Sequence, residues 1–370
     1  MNYSYHQLSI DEFDRLYGES LQSVSQFELT FAWLKATAQF MVPDGGQVIV
    51  HCLIESEASS QVEKLIVALP LMHLAHNKTL KSLGSFYSTI IAQSYSTYYQ
   101  ALSHTNALNN LITHILQSSS WQTLQIGPME EDSGLANFFI TQRSKSYFSK
   151  VFSQNQNIYQ DKLSSFEHYY AQLPSQLKNT LSRRSKKLRK YAPYTIDIVT
   201  TNELFERAFR DYKTIYQASW KVDEYSYDFI EQVCRSALAK NQLRLGVLYV
   251  NDKPAAAQIW FIQANETIAT ASIFKLAYHP DFQQFSVGSI LSLALSEYVL
   301  NRDMVNVIEF GMGNESYKRD WLKLTKKRLT LQVYNKRNIL GFIKGVLSIW
   351  LARLKNIKTK NTQLKRNESS

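Results

Sequence analysis

Apolar and polar positions along the 370 residues change period several times, and each change marks an element. Phe27–Met41 (FELTFAWLKATAQFM) carries apolar side chains at helical spacing and stops at the turn sequence Pro43-Asp44-Gly45-Gly46. Gln47–Glu55 and Lys64–Leu74 read as strands joined by the polar loop Ser56–Val62. Ala107–Gln117 reads as a helix and Thr123–Ile126 as a short strand closed by Gly127-Pro128. Ser164–Lys190 reads as two helices broken at Pro174, the second stopped by Ala192-Pro193. There follow strand Thr195–Thr200, helices Glu203–Lys221 and Tyr227–Lys240, and strand Arg244–Val250. A turn at Asn251-Asp252-Lys253 leads into strand Ala255–Gln263, and Glu266–Tyr278 continues an antiparallel meander. A helix from Ser286 to Leu300 and strands Asn306–Phe310 and Thr330–Tyr334 complete the pattern. Helices mixed with a mostly antiparallel set of strands predict an α+β fold. The length predicts two domains, assigned to 1–160 and 193–335, with linker helices at 161–192 and a basic helix and tail at 336–370.

Charge sharpens this picture. The net charge is +10, but Arg319 to the end holds 14 Lys/Arg against Asp320 and Glu368, which leaves the rest of the chain slightly acidic. A second basic island, Lys178–Lys190 (KNTLSRRSKKLRK), has seven positive side chains and no negative one. Such islands attract phosphorylated cofactors, acidic lipid or nucleic acid, or they form a solvated helix face. Arg337–Lys355 (RNILGFIKGVLSIWLARLK) is apolar with basic edges. It fits a helix lying on an anionic membrane surface or one packed on the C-terminal domain, and Lys344 interrupts it too early for a span. The N-terminus lacks a basic region followed by an apolar stretch, and no run approaches ~18 apolar residues, so a cytoplasmic protein, peripheral to the inner membrane at most, is expected. Cys52 and Cys234 have no CxxC or metal spacing, and no two of the eight histidines share i, i+4 spacing, so no metal is expected. His73 and His76 are expected to face solvent at a strand end. A nucleophile elbow, a Walker loop and HExxH are absent from the sequence.

Three stretches carry candidate chemistry. In the first, a strand runs through a polar loop (HPDFQQFSVGSIL) into an apolar helix whose first turn is small: Ser286, Val287, Gly288, Ser289. Unpaired backbone N–H groups and the positive dipole end make such a terminus receptive to phosphate. On local sequence alone, with a single glycine, the stretch reads first as an ordinary helix start capped by Ser286. In the second, IEFGMGNESYKRDW (Ile308–Trp321), Gly311 and Gly313 permit unusual backbone angles and close approach of a ligand. Tyr317 and Lys318 then offer a hydroxyl and a cation to a developing oxyanion or a phosphate. The third, YQASWKVDE (Tyr216–Glu224), ends a helix with Trp220 and Lys221, either a pocket wall beside a cation or a core tryptophan with a solvated lysine.

HPDFQQFSVGSIL resembles the pyrophosphate-binding signature of GNAT acyltransferases, Arg/Gln-x-x-Gly-x-Gly/Ala, with Gln283, Ser286 and Gly288 at the defined places and Ser replacing the first Gly. IEFGMGNESYKRDW is similar to the Asp-Phe-Gly-x-Gly-Asp-x-x-Tyr-Lys-x-x-Trp pattern of the CelD-like GNAT family, relatives of the Fem aminoacyltransferases of the cell wall. Gly311, Gly313, Tyr317, Lys318 and Trp321 match, whereas Glu309 stands for Asp and Asn314 for a frequent Asp. Ser-Trp-Lys at 219–221, the Leu-Pro before the basic helix, and the opening FELTFAWL resemble the same family, so the likeness extends over most of 25–335. The resemblance implies two tandem GNAT-like domains, the first degenerate, and an acyl donor, most simply acetyl-CoA or another acyl-CoA. It implies donor binding at Gln283, Ser286, Val287, Gly288 and Ser289, and substrate binding at Trp220, Lys221, Lys275, Gly311 and Gly313. Lys318, Tyr317 and Glu309 become catalytic candidates, with the backbone of Phe274–Ala277 facing the oxyanion. The acceptor class implied is a small molecule, saccharide or peptide precursor of the cell envelope. A Fem-like transfer from aminoacyl-tRNA, with the basic helix on the phosphate backbone, and a non-catalytic partner of a polysaccharide synthase are the alternatives.

Overall fold

The computed structural model describes residues 3–17, 30–56, 63–83, 105–118, 120–131, 134–141, 145–264, 268–313 and 315–351. The predicted helix start at 27–29, most of the loop 56–62, the strand start at 266–267, Asn314 and the tail 352–370 lie outside these residues. The first half runs β1 (Tyr3–Ser9), α1 (Ile10–Tyr17), α2 (Phe31–Phe40), β2 (Gly46–Ser56), β3 (Glu63–Leu74), β4 (Thr79–Ser82), α3 (Thr105–Gln117), β5 (Thr123–Glu130), α4 (Gly134–Thr141) and β6 (Tyr147–Gln160). Two connecting helices follow, α5 (Phe166–Gln172) and α6 (Ser175–Tyr191). The second half runs β7 (Tyr194–Val199), α7 (Asn202–Ala218), α8 (Tyr227–Ala239), β8 (Leu243–Val250), β9 (Lys253–Ala264), β10 (Ala269–Tyr278), α9 (Val287–Asn301), β11 (Val307–Met312), α10 (Ser316–Trp321) and β12 (Leu324–Asn335). A last helix, α11, covers 339–351.

The halves share one plan, βααβββαβαβ, in a mixed α/β arrangement with a single 12-stranded sheet of order β1-β2-β3-β4-β5-β12-β6-β11-β10-β9-β8-β7. Each half begins with an antiparallel meander (β1 to β4, β7 to β10). Each then makes one parallel pairing across a helix, β4 with β5 across α3 and β10 with β11 across α9. The last strands are exchanged: β6 lies beside β11, and β12 lies between β5 and β6. The fold is therefore a tandem repeat joined at its centre by β6 and β12.

Local sequence explains the layers. On α7, Phe205, Ala208, Phe209, Tyr212, Ile215 and Tyr216 recur at i, i+3, i+4, i+7 and form one buried face against the sheet. Ser226 caps α8 by accepting from the Phe229 N–H at 3.1 Å. β8 (LRLGVLYV) is buried on both faces and accordingly lacks alternation. Its one charge, Arg244, is neutralised by Asp303, with the guanidinium reaching both carboxylate oxygens at 2.6 and 2.9 Å. Trp33 of α2 packs edge-on against Phe229, Phe261 and Phe274, so the first half supplies part of the second half's core. Both cysteines are buried free thiols.

Candidate active site

β10 and β11 pair only over Thr270–Ser272 and Val307–Glu309. Beyond that point β10 keeps β9 while β11 keeps β6, and the two parallel strands part. A register shift between Ile273 and Lys275 leaves Phe274 without a partner on β9, a β-bulge at the parting. A cavity of about 610 Å³ opens there. It is lined by Phe274 and Lys275 of β10, Phe310 and Met312 of β11, Glu315, Tyr317 and Lys318 around α10, and Lys221–Tyr225 after α7.

The cavity holds three ammonium groups in different states. Lys275 is buried, and its Nζ lies 2.7 Å from each oxygen of buried Glu224. Burial lowers the Lys275 pKa, and the Glu224 carboxylate opposes that shift. Lys318, buried on a one-and-a-half-turn helix, donates to the Met312 carbonyl at 2.8 Å and meets Glu315 at 3.1 Å. Burial would raise the Glu315 pKa, but its own backbone N–H and the Lys318 ammonium hold it below the usual carboxylate value. Lys221 has no carboxylate within salt-bridge range among the described residues; its ammonium lies over the rings of Tyr216 and Trp220 at 5.6 and 5.9 Å. Burial, and after it the like charge of Lys275, lower the Lys221 pKa to about 8. Burial, reinforced by Glu315, raises Tyr317 to about 12, so this phenol keeps its proton at neutral pH. The glycines before α10 are conformationally required. Gly311 has φ 67° and Gly313 φ 149°, and a Cβ on Gly313 would stand 2.6 Å from the Lys318 ammonium.

The far end of β10 leads directly to the phosphate-loop candidate. A 3-10 turn (Pro280–Phe285) delivers Ser286 in the left-handed conformation, φ 55° and ψ 42°, and α9 begins at Val287. Gly288 is half-buried, and a Cβ there would meet the Tyr278 ring at 3.4 Å, an ordinary contact. Its carbonyl accepts from the Gln258 amide at 2.8 Å, which fixes the first turn of α9 to β9. Basic helix α6 lies alongside: Arg184 donates to the Gln284 carbonyl and the Lys187 ammonium stands 5.3 Å from the Phe285 ring.

The structure thus gathers Lys221, Lys275, Tyr317 and Lys318 around one cavity, and Gly311, near the end of β11, and Gly313, between β11 and α10, lie outside its lining. Gln283 is exposed at the loop, with Ser286, Gly288 and Ser289 half-exposed and Val287 buried beneath them. Trp220 is not a wall of the cavity: it is 59% exposed and packs on Tyr278 at 4.4 Å. Glu309 does not line the cavity either. Strand alternation turns it to the opposite side from Phe310, where its carboxylate accepts from Asn157 and faces Arg328 at 3.6 Å. His73 is also placed differently from the sequence expectation, half-buried with Nε2 2.9 Å from His51 Nε2. Glu224 and Glu315, absent from the sequence candidates, are the counter-ions of the site: Glu315 stands three residues from its partner Lys318, a spacing readable in the sequence, whereas Glu224 meets Lys275, 51 positions away, and leaves no local signal. Among the described residues no cluster of three or more His, Cys, Asp or Glu could hold a metal ion.

Residues 175–319 match the family model of the acetyltransferase (GNAT) domain, the segment holding β7 to β11, the cavity and the α9 loop. This segment is a domain of the acetyltransferase (GNAT) type. Solved structures share the fold along nearly the whole chain. FemX is similar at TM-score 0.57 and 9% identity, with 91% of this chain and 98% of FemX covered. The C-terminal (DUF2156) domain of a protein from Agrobacterium fabrum, described as a lysylphosphatidylglycerol synthetase, is similar at TM-score 0.53 and 10% identity, covering 94% and 97%. A conserved protein of Bacteroides thetaiotaomicron without assigned function is similar at TM-score 0.51 and 10% identity, covering 90% and 100%. No curated protein matches the sequence significantly.

Proposed function

We propose that the protein moves an acyl group, in the simplest case acetyl, from acyl-CoA to an amine or hydroxyl of an anionic acceptor seated in the β10/β11 cavity. The observation that carries this reading is the meeting of a bulged, parted strand with the Lys221, Lys275 and Lys318 ammoniums at the approach to the α9 N-terminus. In this reading residues 193–335 supply the chemistry, and 1–160 and the linker helices 161–192 support it. The donor pyrophosphate is received by the backbone N–H groups of Val287 and Gly288 and by the hydroxyls of Ser286 and Ser289, whose own N–H groups donate to the Gln283 and Ser286 carbonyls, with Gln283 at the edge. The thioester carbonyl lies against the backbone at Phe274, and the acceptor's lone pair attacks its carbon. Lys318, fixed by Met312 and Glu315, stabilises the negative charge that develops on the oxygen. The C–S bond breaks, the protonated Tyr317 phenol gives its proton to the departing sulfur and takes up the one the acceptor's nitrogen or oxygen releases, so CoA leaves as the thiol. Lys221 grips the acceptor's anionic group. Glu309 is a positioning residue that holds β11 to β6 through Asn157. Envelope saccharide or peptide precursors are the acceptor class that the family resemblance supports.

A second reading draws on α6. Its basic side chains line the donor loop and suit the phosphate backbone of an aminoacyl-tRNA donor as well as a nucleotide.

Steady-state acyl transfer by Lys318→Ala tests the assignment. Turnover is expected to fall by ~10²–10³ with donor affinity nearly unchanged, as for loss of an oxyanion partner. Near-normal turnover together with near-normal donor binding would remove Lys318 from the mechanism.

A further inference from the structure

Helix α11 is built inside out. Gly341 and Gly345 are buried against the sheet: a Cβ on Gly341 would meet the Asn335 carbonyl oxygen at 2.5 Å, and one on Gly345 would stand 3.0 Å from Tyr334. Lys344 lies on this inner side and donates to the Gln122 side chain at 2.7 Å. Half-buried Ser348 continues the inner stripe, so residues 341, 344, 345 and 348 all face the protein. The large apolar residues point outward: Ile339, Phe342, Ile343, Val346, Leu347 and Trp350 are all exposed, Trp350 by 57% and Ile343 by 46%. A helix that only covered a domain would put these side chains inward and its polar ones outward. This one inverts the order, and the glycine stripe brings its backbone close enough to the sheet to hold that inversion.

Charge identifies what the outer face meets. From Lys336 to Arg366 the sequence has nine Lys/Arg and no Asp or Glu. Arg337, at the head of the helix, donates to the Gln117 carbonyl at 2.8 Å, so the cationic end is tied to the fold. An apolar face about three turns long, flanked by cations alone, is complementary to the boundary between anionic headgroups and acyl chains. No described helix is long and apolar enough to cross a membrane. We propose that α11 lies in the plane of an anionic membrane surface, with Ile339, Ile343 and Trp350 in the acyl boundary and the basic residues among the headgroups. The acyltransferase would then be held at the lipid face through its β5/β12/β6 side. This docking does not depend on which donor or acceptor the cavity takes.

The test is flotation of the full chain with vesicles of phosphatidylcholine alone and of phosphatidylcholine with phosphatidylglycerol. Expected are binding to the anionic vesicles, weakening at high salt, and a loss of bound protein of at least ~10-fold in Ile343→Glu/Trp350→Glu. Both positions are exposed, so the double variant is expected to keep the melting temperature of the parent. Equal binding to neutral vesicles, or no binding to either kind, overturns the proposal. So does a concentration-dependent dimer in sedimentation that the same double variant dissolves, because the face would then belong to a second copy.

Discussion

Lys221 and Lys318 sit in one cavity and face opposite electrostatic problems. Lys318 has its counter-ion within reach, which fixes its position, and Gly313 leaves the space that its ammonium occupies. Lys221 has aromatic faces and two like charges for company, so an anion entering the cavity relieves it. Its pKa of about 8 gives a prediction. As the pH rises through that value the ammonium is lost, and kcat/KM for an anionic acceptor is expected to fall by ~10-fold per unit above it. In Lys221→Met that limb should disappear and the remaining loss should appear in KM. A rate that instead climbs through about 8 in the parent, and not in the variant, would make Lys221 the group that takes the acceptor's proton. Of these residues, Lys318 and Tyr317 were legible from their motif and Lys221 from the Ser-Trp-Lys sequence. Glu309 was misassigned because a motif gives order along the chain but not the side of the strand. Only the pairing of β11 with β6, which depends on residues some 150 positions away, sends its carboxylate to Asn157 and Arg328.

At the scale of elements, the strands with clear apolar runs and the long amphipathic helices of the second half were readable, and β6 was not. Tyr147–Gln160 (YFSKVFSQNQNIYQ) is polar through its middle, yet it occupies the centre of the sheet, where Asn157 is fully buried. The two strands beside it, β11 and β12, come from the far end of the chain, and no local pattern encodes that pairing. Helix α11 was readable as a helix, but the inward side of its glycines was not. The β2/β3 pair holds another feature hidden from the sequence. His51 is buried with Nδ1 at 2.6 Å from the Tyr5 hydroxyl and Nε2 at 2.9 Å from His73. Burial, and next the neighbouring His73, lower the His51 pKa to about 3, and burial lowers His73 to about 4. Both values lie below the unfolded value of ~6.5, so the unfolded chain takes up protons first. Stability from this pair is therefore complete above pH ~6.5 and declines as the pH falls toward about 4 and then 3. At pH 5 the loss from His51 alone is on the order of 2 kcal/mol. Urea midpoints measured from pH 7.5 to 5 should drop more steeply for the parent than for His51→Gln/His73→Gln; parallel curves would contradict the buried neutral pair.

On the scale of the whole molecule, the repeat βααβββαβαβ is plain in the topology and invisible in the residues. Its copies keep element order while sharing no sequence period, because a fold constrains burial patterns far more than residue identities. The exchange of β6 and β12 ties the copies into one sheet, and the second copy carries the cavity, the lysines and the α9 loop. That loop also explains the departure from the signature at Ser286: the position is left-handed, which glycine adopts freely and serine tolerates at a cost of ~1–2 kcal/mol. The central claim, that this second copy binds an acyl-CoA at the start of α9, has one direct test. Calorimetric titration of acetyl-CoA and of a longer acyl-CoA into the full chain and into folded Gly288→Glu sets a donor against a carboxylate placed in its path, at a position where a Cβ makes only an ordinary contact with Tyr278. The account predicts saturable one-site binding of at least one of them to the parent and none to the variant. Equal affinity in both proteins, or binding of neither acyl-CoA while aminoacyl-tRNA binds, would contradict it.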